Sequence, residues 1–277
     1  MKVSVRILVE NTTMKAALRA EYGFSALVEV NGRKFLYDTG SRDALLYNAE
    51  ALRMPVEECE SVIISHGHFD HTGALMAAVQ KWKLKKLYAH SNLFAERYSV
   101  DAPDRLREIS CVFTEQELQT AGVDWIKTDT FTEIADNVYV TGQIPRVYPY
   151  ENTGGNFVVR CGGALERDEL PDDMGMVIRH PDGLILISGC AHAGLLNMMR
   201  YAMEQTGETR ILAFIGGTHL MTASKERLEK TVEEVKRMGV QHLHPAHCTG
   251  FAASAYLLQN LGAETVKKAE TGDIFVF

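Results

Sequence analysis

The sequence is poor in the features that mark secreted, nucleic-acid-binding and membrane proteins. It has five cysteines, at 59, 111, 161, 190 and 248. They are odd in number, widely spaced and without a CxxC pair, which excludes a disulfide framework and a structural zinc knuckle. Positive charge is scarce: 29 Lys and Arg stand against 36 Asp and Glu, a formal net charge of −7. No Lys/Arg stripe is present to neutralise phosphates, so a nucleic-acid partner is not expected. The densest basic run, KWKLKK from Lys81 to Lys86, reads as a solvated helix end with lysines near the negative dipole terminus. Long apolar runs are also missing. The opening MKVSVRILVENTTMK is too short in apolar residues for a signal peptide or a membrane span. The expectation is a cytoplasmic protein with no membrane partner; nothing in the sequence bears on its oligomeric state.

What is present is an ordinary globular composition, 46% hydrophobic and 23% charged over 277 residues. Strand and helix signals alternate without a linker or repeat, and the whole chain, 1–277, reads as a single domain. ALVEVNGRKFLYDTG is two strand-like runs joined by Asn31-Gly32, a hairpin signal. RDALLYNAEAL and GALMAAVQKW have helical spacing, while SVIIS and KKLYAH read as strands. Residues 91–137 are polar and resist assignment. Beyond them come the strand NVYVTG and a hairpin turning at Pro181-Asp182-Gly183. Helices AGLLNMMRYAMEQTG, SKERLEKTVEEVKRMG and GFAASAYLLQNLG then alternate with strands RILAFIGG, VQHLHPAH and DIFVF. Hairpins followed by β-α-β units predict an α/β protein, with sheets packed together and helices outside.

The stretch SHGHFDHTGAL, from Ser65, concentrates three of the ten histidines and an aspartate in six residues. His66 and His68 project to one side of an extended segment, because successive side chains alternate faces. Asp70 and His71 follow at a helix start and supply a second pair of donors. Two divalent ions held side by side need this two-by-two supply from rigid elements. Imidazole with carboxylate suits zinc, manganese or iron. The alternative, an Asp-capped helix preceded by chance histidines, explains neither Gly67 nor the density of ligand types.

HGHFDH (66–71) matches the HxHxDH signature of the metallo-β-lactamase superfamily. FLYDTG (35–40) before it and SGCAHAG (188–194), IGGTHL (215–220) and HCTG (247–250) after it fall in order at strand ends, as motifs of that superfamily do. They extend the resemblance over essentially the whole chain. The resemblance implies a four-layer αβ/βα sandwich with a dinuclear metal site at one edge of the two sheets. The flanking motifs resemble the branch that includes dihydropterin-linked ribofuranosylaminobenzene 5′-phosphate synthases. Many members carry a further histidine in a loop where this chain has TGQIPR (141–146). His192, delivered by the turn after LILIS, is the candidate replacement, with a helix-capping role as the alternative. Cys190 stands near the place of a metal-bridging aspartate; a ligand role and a merely buried role both stay open. His247 in HPAHCTG resembles the last ligand. His242, His244, His90 and His180 are read as strand-end or supporting residues. Asp38 in YDTG resembles the buried aspartate that orients a ligand histidine, and its alternative is a turn-forming aspartate. His219 follows two glycines and suits an acid or an anion contact rather than a ligand, with a helix-entry role as the alternative. Arg146 and Tyr148 are weaker candidates for substrate contact.

These readings predict a metal-dependent hydrolase of a small phosphorylated metabolite. Two divalent ions, zinc with manganese or iron as substitutes, would activate water to hydroxide. His66, His68 and His192 would hold one ion; Asp70, His71 and His247 the other. Asp70 and His219 are the expected catalytic residues. The branch resemblance implies a rival, a transferase joining a dihydropterin-methyl diphosphate to a ribofuranosylaminobenzene phosphate. A third reading is a non-catalytic ligand-binding or regulatory protein on the same fold.

Overall fold

Asn31 and Gly32 both take positive φ, 51° and 88°, and close the two-residue turn between antiparallel strands Ser25–Val30 and Arg33–Tyr37. The mirror-image turn matches the right-handed twist of the strands it joins. This hairpin is the centre of one sheet in the computed structural model of the chain, which describes residues 1–102 and 105–277. The chain forms two units: Met1–Lys127 with Phe157–Asp168 and Glu270–Phe277, and Thr128–Asn156 with Glu169–Ala269. Each is thus assembled from separated segments, and no single cut in the sequence divides them.

The first unit holds a seven-stranded sheet. Its centre is the hairpin, flanked on one side by Val3–Val9 and Ile274–Val276 and on the other by Ser61–Ile63, Lys86–Ala89 and Asp124–Lys127. The last three strands run parallel to Arg33–Tyr37 and each other, so helices must carry the chain back between them. Ala44–Ala51 and Leu75–Trp82 do so, burying Leu45, Ala49, Leu75, Ala78 and Val79 with Leu36, Val62 and Leu87 of the sheet. Each leucine contributes about 1.5–3 kcal/mol on burial. The KWKLKK run is not one solvated helix end. The helix stops at Trp82, Lys83 turns the chain at φ 58°, Leu84 is buried, and Lys86 already begins a strand.

The unassigned stretch 91–137 supplies strands Arg97–Ala102 and Arg105–Glu108, which join Phe157–Cys161 and Ala164–Arg167 in a separate four-stranded sheet. Its members come from segments about sixty residues apart, with nothing in local periodicity to announce the pairing. The helix Glu115–Thr120 in the same stretch begins with a capping box, Thr114 and Glu117 each satisfying the other's backbone N–H.

The second unit has a six-stranded sheet. The order is His242–Ala246, Ile211–Gly217, Gly183–Ser188, Met176–His180, Val138–Val140, Thr132–Ala135. Leu184, Leu186, Phe214 and Leu243 pack with Leu195, Met199, Val235 and Leu257 from helices Leu195–Thr206, Lys225–Arg237 and Phe251–Leu261. Helix Leu195–Thr206 has glycine at its N-cap and so no side chain of its own for the orphan amides. The buried carboxylate of Glu151 takes that place, accepting from Leu196 N (3.0 Å) and Asn197 N (2.8 Å). Among the described residues no helix is long and apolar enough to cross a membrane.

Candidate metal-binding site

Strand ends carry the chemistry. In the first unit Tyr37 is followed by Asp38, and Ile63 leads through Ser65 into His66–His71. Asp38 is fully buried at φ 53° and binds three groups. Its Oδ1 accepts Ser65 N at 2.7 Å, and its Oδ2 accepts Ser65 Oγ at 2.8 Å and pairs with His71 Nδ1 at 2.7 Å. Asp38 thus makes a turn and orients an imidazole, so its two readings describe one residue. The bond to Nδ1 directs the other His71 nitrogen, Nε2, to Asp70 Oδ2, 3.7 Å away. Ser65 Oγ lies 2.9 Å from His66 Nδ1, which likewise fixes that ring by its far nitrogen. His66 Nε2 and His68 Nδ1 converge to 3.0 Å.

The four residues of the motif therefore present two donor pairs, with the His66 and His71 rings oriented as ligand histidines are when their second nitrogen is held. The short helix Phe69–Thr72 has His68 as N-cap without a side-chain cap, and Asp70 lies inside it, so the Asp-capped alternative does not hold. Gly67 is required by space. A Cβ there would sit 2.1 Å from the Leu93 carbonyl oxygen and 2.7 Å from Arg97 Nη1. Arg97, fully buried, pairs through Nε with Asp168 Oδ2 at 2.8 Å, so a buried ion pair backs the His66–His68 turn.

In the second unit, Ser188, Gly217 and Ala246 end three neighbouring parallel strands, and the residues after them are Cys190, His192, His219, His247 and Cys248. Ala191, His219 and His247 all take left-handed φ, 52°, 47° and 48°. Non-glycine residues hold such angles at about 1–3 kcal/mol each, a strain that clusters at functional sites. His192 is held at its backbone N–H and carbonyl and at Nδ1. Its Nδ1 lies 2.7 Å from the Thr153 carbonyl, its own carbonyl accepts Arg146 Nη1 at 2.8 Å, and its N–H points to Asp173. Asp173 also accepts Ala193 N at 2.8 Å; complete burial pushes its carboxyl up to about 7 against the pull of these two amides.

His192 does not cap the helix, whose N-cap is Gly194. Arg146 is engaged by the carbonyls of His192 and Glu169, and Tyr148 donates to Glu234 at 3.1 Å, so both expected substrate contacts brace the protein itself. The His192 and His219 rings lie 4.4 Å apart, and His219 is half-buried where His66, His68, His71, His192 and His247 are buried. Nor is His219 a helix-entry residue, since the next helix is capped by Ser224. The glycines before it serve strand contact rather than a ligand. A Cβ at Gly216 would meet Ser188 O at 2.0 Å.

Donor atoms of Cys190, His192 and His219 lie within 4.8 Å of one another, as do those of Cys190, His247 and Cys248. Burial works against a Cys248 thiolate, yet the Cys190 side chain and the fields of His219 and His247 hold the group well below the usual thiol range. Of the remaining histidines, His90 and His180 close turns by accepting Asn92 N and Asp182 N, and His244 Nδ1 lies 3.0 Å from the Lys267 carbonyl. These are the supporting roles their strand-end positions suggested.

Each unit thus presents buried imidazoles, with His66 and His71 in one and His192 in the other fixed by their second nitrogen, joined by carboxylate in the first and thiol in the second. That donor chemistry fits transition-metal ions. Sequence reasoning missed Arg97, Asp168, Thr153, Asp173 and Cys248. Of these only Cys248, next to His247, had a local signal.

Known proteins agree with this chemistry. Residues 18–202 match the Metallo-beta-lactamase superfamily. The chain is 26% identical over 275 residues, 93% of its length and 90% of the relative's, to the 7,8-dihydropterin-6-methyl-4-(beta-D-ribofuranosyl)-aminobenzene-5′-phosphate synthase of Methanocaldococcus jannaschii. It is 32% identical over 256 residues to an uncharacterized protein of the same organism, covering 92% of this chain and 94% of that one. Among solved structures it is similar to Tm1679, described as a metal-dependent hydrolase of the beta-lactamase superfamily, with a TM-score of 0.83, 27% identity and coverage of 99% and 98%. The mixed α/β architecture, the ligand motif at its strand ends and the match across 18–202 agree: the chain belongs to the metallo-β-lactamase superfamily.

Proposed function

We propose that the protein is a metal-dependent hydrolase of a small phosphorylated metabolite, with His66, His68 and His192 holding one divalent ion and Asp70, His71 and His247 a second. The observation that supports this reading most is the pair of converging donor sets in residues 66–71, His66 Nε2 with His68 Nδ1 at 3.0 Å and Asp70 Oδ2 with His71 Nε2 at 3.7 Å. When bound, zinc or a similar ion polarises an ester oxygen and brings the pKa of water to about 7. The chain's own residues do the rest. Asp38 and Thr153 keep His71 and His192 in the tautomer that leaves Nε2 as donor. Asp70 joins the charge balance of its ion and stands at the reacting centre. His219, the half-buried imidazole beside His192, protonates or screens the departing oxygen. All five cysteines are outside disulfides, which supports a reducing, cytoplasmic setting.

The similarity to the pterin-linked synthase supports a second reading, C–N bond formation with a diphosphate leaving group. One experiment separates them. Metal-loaded protein and His219→Ala are assayed for phosphate release from a panel of phosphoesters, and for joint consumption of a dihydropterin-methyl diphosphate and an arylamine. The proposal predicts metal-dependent phosphate release without the amine, slowed about 10²–10⁴-fold in His219→Ala at unchanged metal content. Consumption of both pterin and amine with no phosphoester turnover would establish the second reading instead.

A further inference from the structure

Cys190 and Cys248 have no role in the function proposed above. A buried cysteine is most often a small apolar filler. The surroundings of these two are not those of a filler. Cys248 is 1% exposed and Cys190 2%, yet the Cys248 sulfur accepts His219 N–H at 3.3 Å and donates to the Cys190 carbonyl oxygen at 3.6 Å. The Cys248 sulfur is thus set among polar groups, as donor to one and acceptor from another, rather than packed only against hydrocarbon.

The space for that sulfur is built in. Gly217 has no side chain, and a Cβ there would lie 2.7 Å from Cys248 Sγ and 3.1 Å from the Cys190 Cα. The turn His247–Thr249 after strand His242–Ala246, entered at φ 48°, places His247 and Cys248 in succession. The result is the group already noted, Cys190, His247 and Cys248 with donor atoms within 4.8 Å of one another, all buried and all from the second unit. Two sulfurs and an imidazole at that spacing are the donor types of sites that select zinc and other thiophilic metals.

We infer that the sulfurs of Cys190 and Cys248, together with His247, bind a transition-metal ion, so that the ion assigned to His247 is held by thiolates as well. This rests on the metal-centre reading above and narrows it. Binding expels the two thiol protons. Soft donors favour zinc, iron(II) or cobalt(II) and disfavour manganese and magnesium, which prefer oxygen.

The test uses the full chain, stripped of metal and reloaded with cobalt(II) or zinc alone. The cobalt(II) protein should show a near-ultraviolet sulfur-to-metal charge-transfer band beside its visible ligand-field bands. The band should weaken in Cys190→Ser and in Cys248→Ser, disappear when both are changed, and persist in Cys161→Ser, whose thiol is exposed. X-ray absorption on the zinc-loaded wild type needs no variant and should show a sulfur shell at about 2.3 Å. Ligand-field bands without charge transfer, or a zinc shell of nitrogen and oxygen alone at about 2.0–2.2 Å, overturns this inference and leaves the metal centre standing. Failure to bind either metal overturns the centre itself.

Discussion

Asp38→Asn is the most revealing single change in the first unit, because it is nearly isosteric and disturbs little except a proton. Asparagine tolerates the left-handed φ of 53° that Asp38 holds, so the turn survives. Its carbonyl can still accept Ser65 N, now at 2.7 Å from Oδ1. The amide NH2 then faces His71 Nδ1, where a carboxylate oxygen stands at 2.7 Å. A donor there makes Nδ1 the acceptor and moves the ring proton to Nε2, the nitrogen that faces Asp70 and that a metal needs bare. Loss of such an orienting partner typically costs roughly 10–100-fold in metal affinity, about 1.4–2.7 kcal/mol. Competitive chelator titration of zinc from wild type and Asp38→Asn should show that drop, with circular dichroism unchanged. Equal affinities in a folded variant would refute the orienting role of Asp38.

Asp168→Ala removes the carboxylate partner of the buried Arg97 and should lower stability in urea by about 3–5 kcal/mol; a loss under about 1 kcal/mol would show that the pair is not what holds the His66–His68 turn. Asp173 supplies a pH dependence. Its folded-state carboxyl is raised by burial to about 7 from an ordinary 3.8, so the unfolded chain gives up its proton first. The stability this group contributes is present at pH below about 4 and is lost as pH rises through about 7, by an amount on the order of a few kcal/mol. Denaturant titrations of the metal-free protein should show that slope in wild type and its absence in Asp173→Asn, and parallel curves would count against the buried, protonated carboxyl.

The ligand motif was legible because metal binding demands particular side chains at tight spacing, and His66, His68, Asp70 and His71 fall within six residues. The Asn31-Gly32 hairpin was legible for a similar local reason: few residues accept the backbone angles of its turn. Partners distant in the chain were not legible. Arg97 finds Asp168 across 71 positions, and His192 finds the carbonyl of Thr153, a group every residue has and no sequence pattern marks. Arg146 read as a loop arginine available to substrate, whereas its guanidinium clamps the His192 carbonyl. The four-stranded sheet escaped notice because its strands Arg105–Glu108 and Ala164–Arg167 are exposed along their whole length and carry no apolar alternation.

In the proposed centre each of the two donor sets serves an ion, and metal stoichiometry is the decisive measurement. Protein stripped by chelator, reloaded with zinc and freed of excess should carry two ions per chain by elemental analysis, and His66→Ala should carry fewer under the same conditions. Zinc content near zero in the folded wild type, or two ions retained undiminished in His66→Ala, would contradict the account.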